Sequence, residues 1–94
     1  MTKTEVHLVV TSELLRVQKA IGSPTMSITD DMRPIGDLSG FDSQVAEDTT
    51  ATILGKLSAD PGTKCPFTIK EDGKYLAVSA IVDYFFRAVS VEQA

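Results

Sequence analysis

Val6, Val10, Leu14, Val17 and Ile21 recur at spacings of three and four, and this period constrains the fold more than any other feature of the sequence. Leu8 and Leu15 widen the apolar stripe. Thr2 and Glu5 have the spacing of a capping box at the start. Gly22 can supply the left-handed residue that ends a helix, and Pro24 prevents its resumption. Val9-Val10 has strand propensity, but the period continues too long for a strand. An amphipathic helix therefore opens the chain. A second clear stripe, Val78, Ile81, Val82, Phe85, Ala88 and Val89 with Phe86 beside it, predicts a closing helix.

Between them lies a weaker helix from Ser43 to Leu57, with Val45, Ala46, Ile53, Leu54 and Leu57 on its apolar face. Thr49, Thr50, Thr52 and Gly55 are poor helix formers, so tertiary packing has to hold it. Asp42 or Ser43 suits its N-cap, and Phe41 just before can cover the first turn. From Gly22 to Asp42 the chain reads as a long loop punctuated by Pro24, Pro34, Gly36 and Gly40. Met26, Ile28, Met32, Ile35 and Leu38 are spaced along it and would tie it to a core. Loops of that length in a small domain are usually functional or disordered.

After a turn at Ala59-Asp60-Pro61-Gly62-Thr63 the reading forks. Phe67, Ile69, Tyr75 and Ala77 flank Asp72-Gly73, which can make a hairpin, or the stretch is a loop with a short helical turn. The expected fold is all-α, a small three- to four-helix bundle with a long loop between the first two helices. A small α+β fold with a hairpin around Asp72-Gly73 is the alternative.

At 94 residues the chain is expected to be one domain, residues 1–94, with a modest core. No apolar run approaches membrane-spanning length, and Met1 to His7 lacks the regions of a signal peptide, so a cytoplasmic protein is expected. One cysteine, Cys65, excludes an intramolecular disulfide, and a half-buried free thiol beside Pro66 is expected there. One histidine, His7, and that cysteine make a zinc site a poor reading, and no metal is expected. The net charge is −4, and Asp30, Asp31, Asp37, Asp42, Glu47 and Asp48 face Arg33 alone between positions 30 and 48. Such a surface repels phosphate backbones and attracts proteins with basic patches.

One short run stands out for chemistry. Gly40-Phe41-Asp42-Ser43 sets a serine hydroxyl at a helix start beside a carboxylate. A hydrolase built on Ser43 would need a histidine or lysine in reach and an oxyanion pocket, and Lys56 and Lys64 are not placed for it by spacing. An exposed hydroxyl there is a good place to attach a group. A helix N-terminus also offers an anion free backbone N–H groups and a favourable dipole.

The order of elements, and Asp37-Leu38-Ser39-Gly40-Phe41-Asp42-Ser43 within it, resembles the acyl carrier protein family from about Val6 to Val89. Gly40-Phe41-Asp42-Ser43 is similar to carriers of the polyketide type. Val78-Ser79-Ala80-Ile81-Val82-Asp83-Tyr84 resembles the start of the family's last helix, and Cys65-Pro66 falls where many carriers have a proline. The sequence departs from the pattern at Gln44, where leucine is usual, and at Glu47, where an apolar residue helps line the acyl pocket. It also departs at Ala77, where a threonine or serine caps the last helix, and Phe67 to Lys74 matches no carrier segment closely.

The resemblance implies a divergent or specialised, freestanding and non-catalytic carrier. A phosphopantetheinyl transferase would attach 4′-phosphopantetheine, taken from coenzyme A, to Ser43, and acyl groups would ride as thioesters on the arm. Asp42 would help bind a metal ion held by the transferase. Gln44, Glu47 and Asp48 would meet acyl-loading and acyl-processing enzymes through their basic patches. Ile53, Leu54, Leu57, Ile81 and Phe85 are candidates to shelter an acyl chain, or are plain core. A monomer is expected, with neither nucleic acid nor membrane as partner. The alternatives are a peptidyl carrier loaded with an amino acid, and an unmodified helical module that binds a protein through its acidic loop.

Overall fold

The two clear stripes and the weaker one between them all become helices. In a computed structural model describing residues 2–22, 27–60 and 62–93, the elements run α1 (Lys3–Ile21), α2 (Pro34–Asp37), α3 (Ser43–Leu57), a 3-10 turn (Pro66–Thr68), β1 (Lys70–Glu71), β2 (Lys74–Tyr75) and α4 (Val78–Gln93). The described chain is mostly helical, with α1 packed on both α3 and α4. Pro24, Met26 and Pro61 lie outside the described residues.

Helix α1 starts where the capping box expects it to. Thr2 accepts a hydrogen bond from the Glu5 N–H, and the Glu5 carboxylate accepts one from the Thr2 N–H. It stops at Gly22, whose φ of 91° is open to glycine at little cost. Val6, Val10, Leu14 and Val17 are buried as expected, but Leu8 is 64% exposed and Ile21 40%. Two residues on from Val6, Leu8 is carried to the far side of the cylinder by a step of about 100° per residue. Glu13 and Gln18 complete the buried face instead.

The buried face of α3 is Ala46, Thr49, Thr50, Ile53, Leu54 and Leu57, so two of its poor helix formers are core residues. Thr50 satisfies its hydroxyl by donating to the Ala46 carbonyl, as buried threonines in helices commonly do. The stretch from residue 66 to 76 combines both branches of the fork. A 3-10 turn buries Phe67, and a hairpin follows with Lys70 opposite Tyr75 and Glu71 opposite Lys74. Asp72 (φ 53°) and Gly73 (φ 76°) are both left-handed, the conformation a two-residue hairpin turn requires. The hairpin is a short appendage whose strand residues lie outside the core.

Phe67 is the centre of that core. Its ring meets Phe41 edge-on at 5.3 Å between centroids and Phe85 at 6.1 Å, and Phe67 and Phe85 are fully buried. One aromatic row thus joins the residue ahead of α3, the 3-10 turn and α4.

The described part of the long loop is tied down. Leu38 is buried, while Ile28, Met32 and Ile35 pack partly buried against the core. Helix α2 is one irregular turn, closed by Asp37 N–H to the Arg33 carbonyl and Leu38 N–H to the Pro34 carbonyl. Ala77 has no side-chain oxygen to cap α4. The loop supplies the cap from its backbone: Val78 N–H donates to the Met32 carbonyl at 2.8 Å and Ser79 N–H to the Asp30 carbonyl at 3.0 Å. The Asp30 carboxylate in turn meets His7 Nε2 at 2.8 Å, which pins the loop to α1. No helix among the described residues is long and apolar enough to cross a membrane.

Candidate functional site

Ser43 is the first residue of α3 and is exposed. The chain leading to it is fixed at several points. Gln18 donates through Nε2 to the Ser39 carbonyl, and Phe41 N–H donates to the Leu38 carbonyl. Gly40 has φ 70°, and a Cβ there would lie 3.0 Å from Ile21 Cγ2, so the close approach of loop and α1 favours glycine twice over. Phe41 is buried in the aromatic row. A serine directly after a formed cap and two residues after a buried phenylalanine is held in one place, facing solvent.

Of the two candidate caps, Asp42 takes the position. Its Oδ1 accepts from the Val45 N–H at 2.9 Å, and its carbonyl accepts from the Ala46 N–H at 2.8 Å. The Asp42 carboxylate therefore has a local structural role besides any contact with a partner. It leaves Ser43 at the first full helical position, where helix geometry aims the early N–H groups outward.

Gln44, Glu47 and Asp48 are all exposed. Gln44 does not enter the core, as the leucine usual there in carriers would. Of the other acidic residues, Asp37 accepts from the Arg33 N–H, Asp31 accepts from the Thr29 hydroxyl and Asp30 meets His7. The Thr29 hydroxyl and the Asp31 backbone N–H hold the Asp31 carboxyl below its usual range. Half of the acidic stretch is thus engaged in shaping the loop, and the carboxylates beside Ser43 are those presented on α3.

The residues a serine hydrolase would need are elsewhere. Lys56 donates to Glu13 at 3.0 Å near the far end of α3, about 20 Å along the axis from Ser43 by the rise per residue. His7 is on α1 and engaged by Asp30. Cys65 is half-buried, as expected, and its sulfur lies in hydrogen-bond contact with the Thr50 hydroxyl oxygen at 3.1 Å. No group of three or more His, Cys, Asp or Glu side chains among the described residues is arranged to hold a metal ion.

A cleft of about 220 Å³ runs along α3 below Ser43, lined by Glu47, Thr50, Ala51 and Leu54, with Thr63 and Cys65 on the opposite wall. Positions 43, 47, 50, 51 and 54 follow the spacing of a single helix face, so Ser43 stands at the head of the stripe that lines the cleft. The five candidates for sheltering an acyl chain, Ile53, Leu54, Leu57, Ile81 and Phe85, are all buried core residues.

Sequence reading passed over one charged cluster. Glu13 is buried with its carboxylate between α1 and α3, accepting from Arg16 Nε at 2.8 Å and from Lys56 Nζ at 3.0 Å. Burial pushes its pKa up, but the bonds to the Arg16 guanidinium and the Lys56 ammonium outweigh that and hold it below the usual range. The three-residue spacing of Glu13 and Arg16 was a visible signal; the partnership with Lys56 was not, since 43 residues separate it from Glu13.

No protein-family model, no curated protein and no solved structure matches this chain.

Proposed function

We propose that the protein is a carrier modified at Ser43 with 4′-phosphopantetheine, which holds acyl or aminoacyl groups as thioesters for partner enzymes. The reading is carried by one observation: Ser43 is exposed at the first position of α3, directly after the Asp42 cap and two residues after a core-anchored Phe41. An attachment serine needs that combination, because an enzyme must reach the hydroxyl while the protein keeps it in a fixed place. The first-turn N–H groups and the helix dipole favour the phosphodiester, and the mostly helical fold with its long tethered loop agrees with the resemblance.

The residues fit the group. In the attachment step Ser43 Oγ forms a bond to the phosphorus that bears the pantetheine arm. The pyrophosphate P–O bond of coenzyme A breaks, the adenosine bisphosphate half leaves, and the hydroxyl proton passes to a base on the transferase. Asp42, engaged through Oδ1 as the cap, is the carboxylate next to Ser43 in sequence and would help bind a metal ion held by the transferase. Glu47 and Asp48 give basic partner surfaces an exposed counter-charge, weak and salt-sensitive, as release requires.

The test is mass spectrometry after incubation with coenzyme A and a promiscuous phosphopantetheinyl transferase. One phosphopantetheine should be added, and Ser43→Ala should abolish it. No mass gain with several transferases, together with a tight protein complex indifferent to Ser43→Ala, would favour the unmodified module. Exposed Gln44 in place of a core-facing leucine is the observation on that side.

A further inference from the structure

Two charged cavities of similar size differ in what they leave free. One, of about 320 Å³, lies between the first turns of α1 and α4 and includes Lys3, His7, Asp30 and Asp83. There Lys3 pairs with Asp83 and His7 meets Asp30, so the charged groups satisfy one another. The other, of about 350 Å³, lies where the hairpin meets the loop ahead of α2, with Arg33 from the loop and Glu71, Asp72, Lys74 and Tyr75 from the hairpin. Among the described residues, no hydrogen bond or ion pair engages the Arg33 guanidinium, the Lys74 ammonium or the carboxylates of Glu71 and Asp72. Arg33 acts on Asp31 through space alone. Glu71 and Lys74 stand opposite each other across the hairpin and are still unpaired. The backbone beneath these groups is fixed. Arg33 N–H donates to Asp37 Oδ2 at 2.7 Å, Leu76 N–H donates to the Ile69 carbonyl at 3.2 Å, and the Lys70 ammonium lies 4.8 Å from the centroid of the Tyr75 ring. Charges that stand free on a fixed frame keep their pairing free energy for a ligand.

We infer that this cavity binds a small zwitterion, an α-amino acid with an apolar side chain, whose carboxylate pairs with Arg33 and whose ammonium group pairs with Glu71. The signs of the free charges select the class. A plain anion would be repelled by Glu71 and Asp72, and a plain cation by Arg33 and Lys74. A molecule carrying both charges meets a partner for each. Arg33 is the better carboxylate ligand of the two cations, because a guanidinium presents paired N–H groups and Lys74 already stands beside Glu71 in the strand register. The rest of the lining is apolar: Leu76 is buried, and Ala77 and Ala80 are half-buried with only methyl groups to fill the space. That leaves room for the ligand's side chain, and the volume falls at the lower end of the roughly 300–1,000 Å³ typical of small-molecule sites. The inference uses no part of Ser43 and stands apart from the carrier reading.

The test is an NMR titration of the unmodified protein with leucine, N-acetyl-leucine and leucine amide, read at the amides of Lys74, Tyr75, Ala77 and Ala80. Leucine should give saturable shifts with a dissociation constant on the order of millimolar, as exposed ion pairs imply. Each analogue lacks one charge and should bind about two- to fivefold more weakly. Arg33→Gln should weaken leucine and N-acetyl-leucine by about that factor and leave leucine amide no weaker. Glu71→Gln should weaken leucine and leucine amide and leave N-acetyl-leucine no weaker. Both side chains are exposed, so the variants should keep the wild-type urea midpoint. No saturable shift with leucine, binding of either analogue as tight as that of leucine, or a variant that weakens all three ligands alike would overturn the inference. The carrier reading would stand in each of those cases.

Discussion

The starts of α3 and α4 are built in opposite ways. Helix α3 is capped by its own neighbour: the Asp42 carboxylate reaches the Val45 N–H three residues on. Helix α4 has Ala77 in the corresponding place, and its first N–H groups donate to the carbonyls of Met32 and Asp30, more than forty residues back in the sequence. One start is a property of a short stretch, which a helix end needs only a side-chain oxygen to achieve. The other exists only once the long loop is in place. The local start is the one that presents Ser43, although the end of the loop leading to it, Ser39 to Phe41, is itself held by α1 and the core. The remote start makes the loop a structural part of the bundle and gives it a reason to be long.

Phe67 touches both regions, and removing it should have the largest effect. Phe67→Ala should cost about 3–5 kcal/mol in urea unfolding, because it empties the space between Phe41 ahead of α3 and Phe85 in α4. If the two starts are independent, hydrogen exchange in the variant should rise at Val78 and Ser79 before it rises at Val45.

A control of intermediate size lies away from both starts. Glu13 ties α1 to the far end of α3 through Lys56, and Glu13→Gln should destabilise by about 2 kcal/mol at neutral pH. Its carboxyl titrates below its ordinary value in the folded state, so its stabilising contribution is complete above pH 4.5 and is lost as pH falls through the lowered folded value. The gap between wild type and Glu13→Gln in urea midpoints should therefore narrow from pH 5 downward; a constant gap would show that the charge is not what matters.

The smallest effects sharpen the comparison most. Asp42→Ala should cost about 1 kcal/mol and loosen the amides of the first turn of α3. Asp30→Ala should leave α4 capped, since the carbonyl and not the carboxylate accepts from Ser79, and should cost under about 1 kcal/mol through the exposed contact with His7. Fraying of α4 in Asp30→Ala, seen by hydrogen exchange, would mean that His7 anchors the cap.

The same division governs what could be read in advance. The period of α1 and of α4 was legible, because a 3.6-residue repeat shows wherever one face is buried. Its edges were less so: Leu8 and Ile21 looked like part of the stripe, while Glu13 and Gln18, which are buried, did not. A buried carboxylate is recognisable only with its cations beside it. Thr49 and Thr50 argued against α3 by propensity, yet they are buried in it, one with its hydroxyl bonded back to the helix and to Cys65. At the site, Asp42, Ser43 and their neighbours were visible as a run of residues. The cleft was not, since its far wall comes from Thr63 and Cys65 beyond the end of α3.

The sequence by itself determined α1 and α4, the capping box at Thr2, the stop at Gly22 and a serine at a helix start, because each depends on residues a few positions apart. Only the tertiary structure decided that Phe67 centres the core, that Met32 and Asp30 cap α4, and that Glu13 meets Lys56. It also decided which face of α3 lies open beneath Ser43. Those contacts join residues distant in the chain: apolar burial stabilises the Phe67 core, and hydrogen bonds and charge pairing outweigh desolvation at Glu13 and the α4 cap, which no local stretch can supply.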